Sequence, residues 1–412
     1  MSNSKFDRDV RALRATNPSL TLKQARGRVR AARAVSEPAG AFFDALGIGH
    51  ELSGWNPQTA WAATEFSAGL QIPVGRERIE SVGGATASLG SPVVTDVAGR
   101  FCVIAGETGS GKSIAQEAWI LALAALYSPT RLHIVWASYS GGRAPQVPHV
   151  IAEYNWLRDS SANAAQFVAQ LDTEISRRQE VVADYGGIGQ YRAACQEDSS
   201  LPPLPDLVVI VEEIQRALDS SSSSGRMLER VLRAASDAGP TIGMTIIVSA
   251  QHAQDHELRS LLPRIRIVHA MRVNNEYESQ ALIGGPYAVS LRLGFGDGLL
   301  RDADGGLIAV RGFDTTEVHD RSIQVGVVHD YFDRGGPRRI GRDIAEAITA
   351  AAAASPSPTS ASAFTAAPET LQPVRERQEI GDLVERYNLA DVNALVALLD
   401  AATADTKVEL GG

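Results

Sequence analysis

From Arg100 onward, short uninterrupted apolar runs alternate with longer segments in which apolar residues recur every three or four positions. Runs this short and this rich in β-branched residues predict strands buried on both faces, and the longer segments predict amphipathic helices. The strand runs are Phe101 to Ala105, Leu132 to Ala137, Leu207 to Val211 and Thr245 to Ser249, with Arg266 to Val273 as a further one. Helices are expected after Lys112 through Trp119 and Leu123, over 160–183 and over 226–237, and Gly296 to Val310 reads as a hairpin turning at Asp304-Gly305. Strand and helix alternating in this way predict an α/β fold on a mainly parallel sheet with helices on both faces.

The flanks carry different patterns. Leu70 to Val74 and Pro92 to Thr95 are short β-prone stretches between glycine-rich turns, expected as an edge layer. Residues 5–35 read as helical, with Thr21 and Gln24 spaced as a capping box, but their apolar stripe is thin and needs a partner. The body is expected to close near Ile348, because 349–370 is almost wholly Ala, Ser, Pro and Thr and reads as a linker. Within the tail at 371–412, Ile380 to Ala402 again has helical spacing. The expected division is thus an arm over 1–36, a body over 37–348, a linker over 349–370 and a small helical tail.

Charge sharpens the division. The chain of 412 residues has a formal net charge of −9, yet residues 1–36 hold nine basic and two acidic side chains, so a basic arm precedes an acidic body. Such an arm suits a polyanion or an acidic protein surface. No apolar run approaches the ~18 residues that span a bilayer, and the opening Met1-Ser2-Asn3-Ser4 is not that of a signal peptide. A cytoplasmic placement is expected, with recruitment to a membrane only through a partner. Cys102 and Cys195 are too few for a disulfide framework and are expected as small hydrophobes.

Chemistry concentrates at predicted strand ends. Gly106, Glu107, Thr108, Gly109, Ser110, Gly111, Lys112 and Ser113 follow a strand, open a helix and fit the pattern G-x-x-x-x-G-K-[ST]. Glycines at these positions let backbone N–H groups turn toward phosphates, Lys112 is expected on the β/γ oxygens, and Ser113 is expected on magnesium. The ligands implied are ATP and Mg2+. Glu212 and Glu213 close the strand run from Leu207, where a metal-side acid and a water-activating base are expected, and Gln251 closes the next run, placed to sense a γ-phosphate or orient water. His252 and His256 are four apart, but Ala253 stands where a zinc protease has Glu, so they read as polar residues at a helix start.

In this order, the motifs over residues 70–315 resemble the FtsK/SpoIIIE branch of RecA-like P-loop motor ATPases. The chain looks most like type VII secretion EccC modules and actinobacterial plasmid-transfer ATPases. Ser140-Gly141-Gly142 stands where Lys-Gly-Gly is common, followed by Pro148-His149-Val150, the helix Glu174-Ile175-Ser176-Arg177-Arg178, Leu282-Ile283-Gly284 and Gly296-Asp297-Gly298-Leu299-Leu300. The resemblance implies a homo-hexameric ring in which an arginine from one subunit completes its neighbour's site, with Arg178 nominated, Arg177 in reserve, and Arg264 and Arg266 as alternatives. It departs from the family pattern where Ser138 and Ser140 replace a common acidic and basic residue, Glu212 replaces Asp, and Gly239-Pro240 replaces Gly-Arg. The leading expectation is translocation of double-stranded DNA through contacts by the basic arm. The alternatives are a protein-secretion motor with secretion or membrane partners, and a nucleotide-gated scaffold with little turnover.

Overall fold

The uninterrupted apolar runs become the middle of the sheet because both of their faces are covered. A computed structural model of the chain describes residues 45–47, 55–80, 87–139, 142–218, 223–251, 256–292, 296–315, 340–354, 362 and 364. The arm at 1–36, the tail at 371–412, Ser140, Gly141 and His252 lie outside them. The strands are β1 (Gln71–Glu80), β2 (Ala87–Asp96), β3 (Phe101–Ala105), β4 (Leu132–Ser138), β5 (Val150–Asn155), β6 (Asp206–Glu212), β7 (Met244–Ala250), β8 (Ile265–Met271), β9 (Asp297–Arg301) and β10 (Leu307–Arg311). They form one sheet in the order β2-β1-β10-β9-β8-β3-β7-β6-β4-β5. Pairing is parallel from β8 through β5 and antiparallel from β8 outward to β2.

Side chains alternate across the pleat into two cores. From β3, Phe101, Val103 and Ala105 enter one core and Cys102 and Ile104 the other; from β6, Leu207, Val209 and Val211 oppose Val208 and Ile210. The main helices are α1 (Pro57–Thr64), α2 (Lys112–Leu126), α3 (Trp156–Val182), α4 (Ile188–Glu197), α5 (Ser223–Ile242), α6 (Glu276–Ile283) and α7 (Ile340–Ala353). Phe167, Leu171 and Ile175 of α3 and Val231 and Leu232 of α5 cover the first face, while Trp119 and Leu123 of α2, Trp61 of α1 and Ile344 and Ile348 of α7 cover the second. Each fully buried apolar side chain of this size contributes roughly 1.5–3 kcal/mol, which is why the short central strands outrank any local propensity.

Three departures from the sequence pattern have simple causes. Strand β1 and the edge strand β2 beside it are ten residues each, longer than their apolar cores, because Arg76, Glu77 and Arg78 of β1 continue the ladder with charged side chains, Arg76 opposite Pro92 and Arg78 opposite Leu89 of β2. Strand β5 has Tyr154 as its only fully buried residue, so its run carries little apolar signal. Helix α7 continues to Ala353, past the expected end of the body, on good helix-forming alanines. Phe364, from the stretch read as a linker, is 6% exposed and stands edge-on to Tyr154 at 6.3 Å. Among the described residues no helix is long and apolar enough to cross a membrane.

Candidate active site

Strand β3 delivers the chain into the loop Gly106 to Gly111 at the C-terminal edge of the parallel strands, and α2 begins at Lys112. The loop is held from both sides: the Gly106 N–H donates to Ala250 C=O at 3.1 Å and the Glu107 N–H to Arg272 C=O at 2.8 Å. Gly109 (φ 80°) and Gly111 (φ 109°) take left-handed conformations that an L side chain resists, so glycine there is a requirement of the turn. The turn leads straight into the first turn of α2, whose N-terminal N–H groups make a ready anion site. Thr108, Gly109 and Ser113 are exposed there, and Ser110 is buried.

Lys112 is 9% exposed and its Nζ donates to the carbonyls of Gly106 at 2.7 Å and Glu107 at 3.0 Å. Its ammonium therefore caps its own loop from the place where phosphate oxygens would compete for it. Burial pushes its pKa below the ordinary 10.5, and Glu213, Glu107 and Glu212 pull it back toward the charged form.

Glu212 ends β6 buried, 7% exposed, and its Oε2 accepts from the Ser138 hydroxyl at 2.6 Å. Glu213 follows in a left-handed conformation (φ 53°, ψ 50°), the one non-glycine with positive φ among the described residues. Its N–H donates to Ser249 Oγ at 3.1 Å, and Arg216 Nε approaches its Oε2 at 3.1 Å. The Gln251 amide donates to Glu213 Oε1, and the Thr108 hydroxyl donates to Gln251 Oε1 at 3.4 Å. Gln251 is therefore the bridge between the acid and the phosphate loop. That link is invisible in sequence, where 38 residues separate Gln251 from Glu213 and 143 separate it from Thr108. The oxygens of Ser113 and Glu212, hydroxyl and carboxylate without thiolate or imidazole, are the hard donors that magnesium takes, so the residues fit the ion.

Arg178 is corrected. Its side chain is 1% exposed, its Nε donates to Glu174 Oε1 at 2.8 Å and its Nη1 to Ile242 C=O at 3.0 Å. A guanidinium this deeply buried, held by Glu174 and the Ile242 carbonyl, is spent inside its own subunit. Arg177, one residue earlier on α3, keeps 28% of its side chain exposed and is gripped by both oxygens of Glu174. Arg264 pairs with Asp237 at 3.1 Å, and with Arg266 it lines a hollow of about 410 Å³ at the N-terminal edge of β3 and β8. Sequence reading passed over Arg272, which directly follows β8 and holds Glu107 of the loop at 2.9 Å; its place at a strand end beside the loop was the available signal.

Comparison with known proteins bears on the same region. Residues 77–288, just over half of the chain, match the FtsK/SpoIIIE family. The ESX-1 secretion system protein EccCa1 of Mycobacterium tuberculosis is 27% identical over 207 residues, covering 46% of this chain and 27% of that protein. The ESX secretion system protein EccC of Thermomonospora curvata is 25% identical over 262 residues, covering 60% of this chain and 19% of that protein. Both relatives are far longer than the chain. In fold, it resembles the cytoplasmic domain of the Thermomonospora curvata type VII secretion ATPase EccC, with a TM-score of 0.63 at 20% identity over 79% of this chain and 36% of that one. The phosphate loop, both strand-end acids and the bridging glutamine all fall between residues 77 and 288, so motif, geometry and match coincide, and the chain belongs to the FtsK/SpoIIIE family.

Proposed function

We propose that the chain hydrolyses ATP with magnesium as one unit of a ring and uses the cycle to move a polypeptide. The observation that carries the hydrolytic part is the run of contacts from Thr108 through Gln251 to Glu213, which ties a carboxylate base to the loop that grips the phosphates. In this reading Lys112 exchanges its two loop carbonyls for β/γ oxygens, Gln251 aims Glu213, and Glu213 takes the proton of the attacking water. Ser113 and Glu212 would hold magnesium, which when bound neutralises charge on the phosphates. The ring is supported by the exposure of Thr108, Gly109 and Ser113, which leaves the loop open to a neighbour, and the partly exposed Arg177 is the arginine assigned to act across that contact.

A polypeptide cargo is supported by the likeness to proteins named for secretion systems. DNA as cargo rests on a separate feature, the nine basic residues of 1–36. An ATPase assay on protein of measured oligomeric state decides between them. Stimulation by a small helical secreted protein and none by double-stranded DNA is expected; DNA stimulation that falls steeply with salt and vanishes without residues 1–36 would reverse the cargo. Turnover should drop by about 10²–10⁴-fold in Glu213→Gln with nucleotide binding kept. Unchanged turnover in that variant would remove the base assignment.

A further inference from the structure

Two residues that break the family pattern at distant places in the sequence, Ser138 and Glu212, meet in space. They are register partners at the C-terminal ends of β4 and β6. The Ser138 hydroxyl donates to Glu212 Oε2 at 2.6 Å, within the range of a charge-assisted O–H···O⁻ bond. The Gly142 N–H donates to the same Ser138 oxygen at 2.9 Å, and Trp136 Nε1 donates to Gly142 C=O at 3.3 Å. With an amide on its acceptor side, the hydroxyl proton is committed to the carboxylate. A Cβ on Gly142 would stand 2.2 Å from Glu212 Oε2, so Gly142 lies directly against that oxygen. Ser138 is fully buried and Glu212 nearly so.

We propose that Ser138 is the positioning residue for Glu212. The proposal rests on the reading of Glu212 as the magnesium-side acid. The physical need is set by side-chain length. Glutamate has one more rotatable bond than aspartate, so its carboxylate samples more positions, and a buried hydroxyl at 2.6 Å removes that freedom. An acid at 138 could not do the same, because two carboxylates this close repel and one is driven to take up a proton. Serine at 138 and glutamate at 212 are thus one compensated pair, and the hydroxyl sets where the longer acid presents its oxygens to a cation.

The test is a magnesium titration of the binding of a fluorescent ATP analogue to the full chain, run for wild type, Ser138→Ala, Glu212→Gln and the double variant, each beside a measurement in EDTA. Loss of a partner that orients a metal ligand typically costs about 10–100-fold in metal affinity. Ser138→Ala should therefore raise the half-saturating magnesium concentration by about 10-fold while leaving the affinity in EDTA unchanged. Glu212→Gln should raise it at least as far, and the double variant no further than Glu212→Gln alone. If Glu212→Gln shifts the midpoint and Ser138→Ala does not, the positioning role is wrong and the metal-side reading stands. A flat response in Glu212→Gln means that the metal-side reading itself is wrong, and the role of Ser138 falls with it. An equal loss with and without magnesium in Ser138→Ala would show a structural role and also overturn the proposal. Should Ser138→Ala not fold, as judged by thermal melting, Ser138→Cys, near in size and a weak donor, carries the same prediction.

Discussion

Glu213 offers a direct measurement of strain stored at a strand end. Its backbone is left-handed, at φ 53° and ψ 50°, although it carries a full side chain. For an L residue this conformation costs roughly 1–2 kcal/mol, because Cβ crowds the following carbonyl. The surroundings enforce it: Glu213 N–H is tied to Ser249 Oγ at 3.1 Å and its carbonyl accepts from the Arg216 N–H at 3.0 Å, so the backbone stays put when the side chain is cut. Glu213→Ala and Glu213→Gly lose the same contacts to Gln251 and Arg216, and they differ only at Cβ. Glycine removes the crowding but gives back about 0.5–1 kcal/mol through the freedom of the unfolded chain. The difference leaves Glu213→Gly more stable than Glu213→Ala by about 0.5–1 kcal/mol, or roughly 1–4 °C in a body of this size. Urea unfolding and thermal melting of the two variants side by side measure it, with Glu213→Asn, which tolerates the left-handed region, expected between them. If Glu213→Ala equals or exceeds Glu213→Gly in stability, the backbone is not strained and the argument fails.

Other expectations follow from the same geometry. Lys112→Ala should weaken ATP binding by about 10–100-fold, the worth of a charge-assisted contact, as read by titration with a fluorescent analogue. Arg178→Ala should cost about 2–5 kcal/mol in urea unfolding, because it empties a fully buried site and takes from Glu174 the buried one of its two arginines, whereas Arg177→Ala should melt closer to wild type and lose turnover only in the assembled state. Acid should destabilise the fold through His149 and His269, which burial pushes from 6.5 down to about 4. The unfolded chain binds these protons near pH 6.5 and the native one only near pH 4, so stability is complete above about 6.5 and is lost as the pH falls toward 4. Each histidine contributes a slope of up to about 1.4 kcal/mol per pH unit in that window, measurable from urea midpoints at several pH values.

What the sequence determined by itself is the local part. Strands such as Phe101 to Ala105 and Leu207 to Val211 announce themselves because burial on both faces demands unbroken apolar runs, and the loop Gly106 to Ser113 announces itself because only that spacing of glycine, lysine and hydroxyl builds the turn. Where burial is partial the signal thins: β5, the charged half of β1 and the small-residue first half of β2 went unread. The tertiary structure alone decided which side chains meet. It turned Arg178 inward, since a helix position next to a surface residue can face the core, and the tandem Arg177-Arg178 does not say which one does. It joined Gln251 to Glu213 and Thr108, and Ser138 to Glu212, because neighbouring parallel strands align their C-terminal ends while the connecting helices keep those ends far apart along the chain. A strand-end motif therefore names the residues of a site, and strand order decides how they act on one another.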